Sequence, residues 1–361
     1  MRKILGPLIL VFILIFSNTL YADSFPRIDF GDLNPFAEEL NPYQSVDANS
    51  HLNLFLGDFV FDLPFPDSLD DSFGGRILKM GLLLEALQFQ LIVFHELGHI
   101  IAAENSGNGW DLNLSLGFPT INGSVGVHDP YNYTWENTVG GINQSMYNSY
   151  VAWQYSLFSE DENLYFLGAA SLLDPFFYNL KSRFRIGAGN DLYKYHTFHY
   201  NLSREISFDD FLNKHLALVL INPFIYHTAF IWGSYAFHGE TPDLGEIGIL
   251  PPFIGSYLLK DKIFVNASIP ILFKDRVFEI SLGFLENPAR LARVGAKIYN
   301  LSLGDARVLV GGAIGPNQYH FSIGLKTPSL LIELEYQKND ILARYLRKVE
   351  NGFRLQIRYI F

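Results

Sequence analysis

The chain has 361 residues and a formal net charge of −11, which leaves room for a leader and one or two domains and makes nucleic acid an unsuitable partner. It contains no cysteine, so disulfides, thiolate metal ligands and a cysteine nucleophile are excluded, and any metal must be bound through nitrogen and oxygen atoms. Aromatic residues make up 16% of the chain, an excess that favours contact with an apolar surface such as a membrane.

The first residues have the pattern of a secretory signal peptide. Arg2 and Lys3 precede an apolar run over residues 4–16, and a small-residue cleavage pattern ends at Ala22. We therefore predict a signal peptide over 1–22. The alternative is an uncleaved anchor helix, but the apolar run is short for a membrane span and is broken by a glycine and a proline. Both alternatives predict export to the bacterial envelope.

Residues 23–243 are predicted to form an extended segment followed by a helical domain. Residues 23–75 are rich in Asp, Asn, Pro and Ser, and their best strand candidate is 52–61. The domain over 76–243 begins with a long apolar helix at 76–103 and continues with a strand pair within 111–127. Further helices are predicted at 141–158, 163–180 and 211–237, the last of them interrupted by Asn222 and Pro223.

The pattern changes to a period of two over residues 244–361. About nine segments alternate apolar with polar or small residues, and turn pairs separate them, which predicts an antiparallel up-and-down meander. The final strand alternates likewise and ends on Phe361, so it resembles the closing strand of outer-membrane β-barrel proteins. The alternative is the edge of a soluble sandwich. We expect an α+β fold, a helical domain followed by this meander, with a membrane β-barrel as its form.

His95, Glu96 and His99 form an HExxH motif within the first predicted helix. A spacing of four residues brings both imidazoles to one helix face, where each can give a nitrogen to the same Zn²⁺ ion. Zinc lowers the pKa of water, and Glu96 can act as the general base and then pass the proton to the leaving amine. The motif predicts a zinc metallopeptidase with His95 and His99 as metal ligands and Glu96 as the catalytic residue.

The run 95–103, in which small and apolar residues follow HELGH, resembles the first motif of site-2-protease-type metallopeptidases. In that family an aspartate from a later helix is the third ligand, and the resemblance implies Asp174 for this role. The residues themselves leave two interpretations of Asp174 open. A lone carboxylate in an apolar run is costly unless it is paired, which favours a ligand. An aspartate before a proline also occurs at a helix end or a turn.

Four other residues are weaker candidates for the site. Glu136 is a better third ligand than Glu104, because Glu104 follows His99 too closely to reach the same metal. The run 139–144 faintly resembles the glutamate helix of thermolysin-type peptidases, but Gln144 stands at the ligand position and an amide is a poor zinc ligand. His227 could stabilise an oxyanion, although a lone histidine in an apolar helix is more often packed in a core.

These patterns predict an enzyme that hydrolyses protein or peptide substrates in the bacterial envelope. The outer membrane is the favoured location, with membrane lipid as a second partner and the active site facing the periplasm, and the inner membrane is the other possibility. Two alternatives remain: a non-catalytic outer-membrane barrel with a degenerate HExxH motif, or an intramembrane protease of the site-2 type. Metal content separates the first alternative from a peptidase.

Overall fold

The computed structural model describes most of the chain from residue 72 onward. The described residues are 72–117, 120–128, 134–157, 162–184, 187, 190–200, 206–239, 250–273, 276–286, 290–303, 306–327, 330–339 and 352–359. The predicted signal peptide over 1–22, the strand candidate at 52–61 and Phe361 lie outside these residues. The segment predicted over 23–75 lies outside them up to residue 71.

Helices form the first part of the described chain, as the sequence predicts. They are α1 (Phe73–Asn105), α2 (Trp135–Ser156), α3 (Glu162–Phe184), α4 (Asp191–Tyr195), a π-helical turn (His196–Tyr200), α5 (Phe208–Leu220) and α6 (Pro223–His238). An antiparallel pair, β1 (Trp110–Gly117) and β2 (Thr120–Val127), follows α1. Two elements differ from the prediction: α2 begins at Trp135 instead of residue 141, and the short helix α4 has no counterpart among the predicted helices.

Eight strands form one antiparallel sheet after the helices. They are β3 (Phe253–Leu258), β4 (Ile263–Phe273), β5 (Arg276–Leu285), β6 (Arg290–Leu303), β7 (Ala306–Gly315), β8 (Gln318–Lys326), β9 (Leu330–Lys338) and β10 (Gly352–Tyr359). Each strand pairs with its sequence neighbours, so the meander and the α+β class are confirmed. In the described part of the chain β3 and β10 are the two edges of the sheet, and no closed barrel is present.

No helix among the described residues is by itself both long and apolar enough to cross a membrane. Helices α5 and α6 meet the length and composition required only when they are taken together, and they are bent by 51° at their junction. Asn222 caps α6 there, because its side chain accepts a hydrogen bond from the backbone N–H of Phe224, and Pro223 occupies the first turn.

Helix α2 joins the helices to the sheet. The Asn143 side chain donates from Nδ2 to the Leu258 carbonyl and accepts from the Leu258 N–H through Oδ1, both at 2.8 Å. It therefore provides hydrogen-bond partners for both backbone groups of the last residue of β3. Trp153 donates to the Pro251 carbonyl and packs against Phe253. Buried residues of the helices and of the first strands thereby form one continuous core.

Helices α1 and α2 approach closely at two glycines. A Cβ added to Gly98 would lie 2.4 Å from the carbonyl oxygen of Gly140, and one added to Gly140 would lie 2.4 Å from the carbonyl oxygen of Gly98. Any larger residue at either position would separate the helices, because backbone atoms cannot rotate away as a side chain can. One glycine in each helix, Gly98 in α1 and Gly140 in α2, thus allows the two backbones to pack closely.

We predict that Gly98→Ala lowers the free energy of unfolding by about 1–3 kcal/mol or more, because the new methyl group clashes with backbone. Gly81→Ala in the same helix is the matched control. Gly81 is exposed, and its Cβ would meet no atom within 4 Å. The control should gain roughly 0.5–1 kcal/mol from the better helix propensity of alanine. Chemical unfolding followed by circular dichroism measures both, and equal stability of the two variants would contradict the close helix contact.

Candidate metal centre

His95 and His99 lie one turn apart on α1 and direct their Nε2 atoms to the same point. The two Nε2 atoms are 3.3 Å apart, and the residues are only 6% and 7% exposed. Such a separation of two imidazole nitrogens allows both to bind one ion, as the motif predicts.

Asp191 supplies a third atom that could bind a cation together with the two histidines, and the HExxH motif does not predict it. It is the first residue of α4, and its Oδ2 lies 3.3 Å from His99 Nε2 and 4.0 Å from His95 Nε2. The three ligand atoms lie within 4.8 Å of one another, and all three residues are buried. The Asn190 side chain caps α4 by accepting a hydrogen bond from the Tyr193 N–H, which fixes the start of the helix that carries Asp191.

Asp174 lies at the other side of the His95 ring, away from the three ligand atoms. Its Oδ2 is 2.7 Å from His95 Nδ1 and accepts a second hydrogen bond from Ser145 Oγ at 2.5 Å. The structure therefore does not bring Asp174 to the position predicted for the third ligand, because its carboxylate is already held by His95 and Ser145. A carboxylate in this place orients the imidazole and makes it a better ligand.

Both histidines are held through Nδ1. An ionised carboxylate and a backbone carbonyl only accept hydrogen bonds, so Nδ1 of His95 donates to Asp174. Nδ1 of His99 donates likewise to the carbonyl of Asn137 at 2.8 Å. Binding of a cation requires each imidazole to be deprotonated at Nε2, and the lone pair then lies on the atom that faces Asp191. Orientation and tautomer of both rings are thus suited to binding a cation.

The charges of the site alter the pKa values of its members. Burial alone would lower the pKa of His95, but the charge and the hydrogen bond of Asp174 raise it well above its ordinary value. Burial alone would raise the pKa of Asp174, but His95 lowers it. The pKa of Asp191 is lowered in the same way, against the effect of burial, by His99 and His95. Both carboxylates are therefore ionised at neutral pH.

Tyr178 on α3 contacts two of the three ligand residues. Its hydroxyl donates to Asp191 Oδ2 at 2.8 Å and accepts from the Asp191 backbone N–H at 3.2 Å. Its ring stacks on the His95 ring, with centroids 5.5 Å apart and an interplanar angle of 17°. Tyr178 therefore restrains both the carboxylate and the imidazole.

Gly141 on α2 forms one wall of the site. A Cβ at this position would lie 2.4 Å from His95 Nε2 and 2.7 Å from His99 Nε2. The absence of a side chain at residue 141 therefore leaves open the space in front of both nitrogens. Any other residue would fill the place where an ion bound to both histidines must lie.

The remaining candidates are Glu96, beside the site, and four residues that were weaker candidates from the sequence. Glu96 is buried on α1, at 8% exposure, beside His95. Glu136, Gln144 and His227 are not among the three grouped ligand atoms. Gln144 donates to Asn148 at 2.8 Å, and His227 packs its ring against Tyr165 on α3, with centroids 5.5 Å apart. The side chain of Glu104 lies outside the described residues.

Sequence reasoning had little means of finding the additional residues. Asp191 follows a glycine-containing stretch and opens a helix of five residues, so it looks like an ordinary first-turn acid. Ser145 and Tyr178 carry no motif. The only available signal was the polarity of α2, in which Ser145 and several amides occupy positions that are buried.

Comparison with protein-family models, curated proteins and solved structures gave no match to the chain. The resemblance of the run 95–103 to site-2-protease-type peptidases therefore stays a prediction that depends on those residues.

We predict that Gly141→Ala prevents the site from taking up zinc, because its methyl group occupies the space in front of both Nε2 atoms while every ligand remains. Ser145→Ala is the control, since it removes a hydrogen bond to Asp174 and adds no atom to that space. The control should retain one zinc per chain, with affinity reduced by about tenfold. Elemental analysis after dialysis against dilute zinc measures both. Stoichiometric zinc in Gly141→Ala would show that the ion does not lie between the histidines.

Proposed function

We propose that the protein is a zinc-dependent metallopeptidase that hydrolyses peptide bonds in protein or peptide substrates. His95, His99 and Asp191 are the proposed metal ligands, and Glu96 is the proposed general base. The observation that carries the proposal is the convergence of two Nε2 atoms and a carboxylate oxygen within 4.8 Å, in buried residues. Coincidental HExxH sequences have no reason to acquire a third ligand at this distance.

The donor set fits zinc. Two imidazole nitrogens and one carboxylate oxygen are typical ligands of catalytic zinc, and three protein ligands leave a coordination position open for water or substrate. Structural zinc sites usually have four protein ligands, often thiolates, and this chain contains no cysteine. The carboxylate of Asp174 on His95 and the Asn137 carbonyl on His99 supply the hydrogen bonds that orient zinc-bound histidines.

Glu96 is the residue we assign to proton transfer. When bound, zinc would supply a polarised carbonyl and a water of lowered pKa. Glu96 takes the proton of the attacking water and gives it to the amine that leaves, so one carboxylate serves both halves of the reaction. Glu96 is buried and adjacent to His95 in α1. Tyr178 and Asp174 hold the ligands and take no part in this proton transfer.

The proposed setting is the bacterial envelope, favouring the outer membrane. The leader pattern of residues 1–22 supports export. For the antiparallel sheet we propose the architecture of a membrane β-barrel. Lipid and a polypeptide substrate are the proposed partners. A structural or transport barrel with an inert motif is the alternative function. The hydrogen bonds that orient both histidines support the peptidase, because an inert motif does not need fixed tautomers.

We expect Glu96→Gln to retain one zinc per chain and to lower kcat/KM by about 10²–10⁴, since the amide cannot accept the proton. His95→Ala and His99→Ala should lose zinc instead, because each removes a ligand. Zinc analysis together with cleavage of a quenched-fluorescent peptide library separates the two effects. Hydrolysis at the wild-type rate by Glu96→Gln would eliminate the proposed role of this residue, and a zinc-free wild-type protein would favour the structural barrel.

Asp191 and Asp174 should differ in how strongly their substitution affects zinc affinity. Asp191→Asn replaces a charged ligand, and we expect it to abolish stoichiometric zinc binding. Asp174→Asn keeps all three ligands and weakens only the orientation of His95, so its affinity should fall by about 10–100-fold. Competition titration against a zinc-binding dye measures both values. The reverse order of the two effects would restore Asp174 as the ligand that the site-2-type resemblance implies.

A further inference from the structure

In a sheet of a soluble protein the apolar face is buried and the polar face is exposed. The eight-stranded sheet has the opposite arrangement. The inner face carries buried polar residues, which include Glu279, Ser281, Arg293, Ser322, Glu335 and Gln337. The outer face carries exposed apolar residues, which include Ile269, Ile280, Ile314, Phe321, Leu334 and Phe353. The register places these groups on opposite faces, since Ile280 pairs with Ile269 while Ser281 pairs with Ser268.

The inner face is a hydrogen-bonded interior. Both carboxylate oxygens of Glu279 accept hydrogen bonds, one from Tyr150 on α2 at 2.8 Å and the other from Tyr299 on β6 at 2.5 Å. Arg293 donates to Ser281 at 3.2 Å. Because its polar groups have hydrogen-bond partners inside the protein, the polar face is the inner side of the sheet and the apolar face is the outer side.

The outer face is uncharged across the width of the sheet. Among the described residues that point outward by register, charges occur only near strand ends, at Arg276 on β5 and Lys338 on β9. The ammonium of Lys338 lies 5.7 Å from the centroid of the Tyr319 ring, and Tyr319 in turn contacts the Tyr336 ring. An apolar band with aromatic and basic residues at its margin is the arrangement of surfaces that lie in lipid.

The strand lengths agree with a bilayer as the covering medium. Strands β4, β5, β7 and β8 have 11, 10, 10 and 9 residues, and a tilted strand needs about 9–11 to cross the hydrocarbon layer. A second copy of the chain would cover one patch and leave the other strands in water, whereas the exposed apolar residues continue over seven consecutive strands, β4 to β10. We propose that the outer face of the sheet contacts the acyl chains of a lipid bilayer.

The metal centre is attached to one end of this sheet. Tyr195, at the end of α4, donates to the carbonyl of Leu259 at 2.6 Å, in the connection between β3 and β4. Tyr200 donates to Glu286, in the connection between β5 and β6, at 2.7 Å. Alternate connections of a meander lie at one end of the sheet, and Tyr319 lies at the same end, beside the connection between β7 and β8.

The position of the metal centre indicates which substrates can reach it, an inference that rests on the proposed peptidase function. Asp191 lies in the same short helix as Tyr195, so the metal centre is level with the aromatic margin of the apolar band and not with its middle. The substrates that reach it are therefore polypeptide segments at the membrane surface, and we do not expect segments buried within the bilayer to be cleaved.

Because the chain has no cysteine, single-cysteine variants test the lipid contact without a background thiol. Ile280→Cys and Phe321→Cys place a fluorescent label on the outer face. Ser281→Cys and Ser322→Cys are matched inner controls, each one residue further along the same strand. The full chain is reconstituted in phosphatidylcholine–phosphatidylglycerol vesicles. We expect lipids brominated on their acyl chains to quench the outer labels several-fold more than the inner ones.

Quenching of the outer labels by aqueous iodide and not by brominated lipid would overturn the lipid contact. So would a lipid-free protein in which a second copy protects the outer labels. Lys260→Cys, at an exposed residue between β3 and β4, reports the position of the metal centre. We expect quenchers in water and at the headgroups to reach it, and strong quenching by bromine in mid-chain would contradict the position at the margin. Zinc content is measured in parallel, so loss of zinc with intact lipid quenching would reject only the peptidase.

Discussion

The close contact between α1 and α2 is the constraint on which the candidate metal centre depends. Gly98 and Gly140 let the two backbones approach, and this brings Gly141 and the Asn137 carbonyl of α2 against the histidines of α1. Ser145 of α2 contacts Asp174, which in turn holds His95. One helix therefore orients His99 directly, supports His95 through Asp174, and leaves space for an ion. A single substitution at the crossing would disturb all three, because they share one rigid element.

The sequence predicts the elements of this fold better than their arrangement around the site. The first helix and the meander were predicted well, because an apolar run with a polar stop and alternation between turn pairs are local patterns. The start of α2 was placed six residues late, since Gly140 and Gly141 weaken the local helical signal and are tolerated only because α1 packs on them. Helix α4 has five residues, too few for a period to appear.

The third ligand shows why motifs alone do not define a site. A carboxylate in an apolar run needs a partner, and Asp174 has two, His95 and Ser145. The sequence does not indicate on which side of the His95 imidazole Asp174 lies. The sequence around Asp191 matches an ordinary helix start, and only its contacts with His99 on α1 and Tyr178 on α3 give it another role. HExxH supplies two candidate ligands by local geometry, whereas the third candidate comes from tertiary structure.

Alternation along a strand predicts two faces but not which of them is inside. In this sheet the polar face is the inner one. This is possible because Tyr150 and Gln154 of α2 and Tyr299 of the sheet donate hydrogen bonds to the Glu279 carboxylate. Without such partners a carboxylate on the inner face would be buried unpaired, at a cost that would favour turning the apolar face inward. The helix that positions the metal centre thus also stabilises the inverted sheet. The candidate metal centre and the apolar outer face of the sheet therefore both depend on the packing of α2, so a substitution that displaces this helix would alter both.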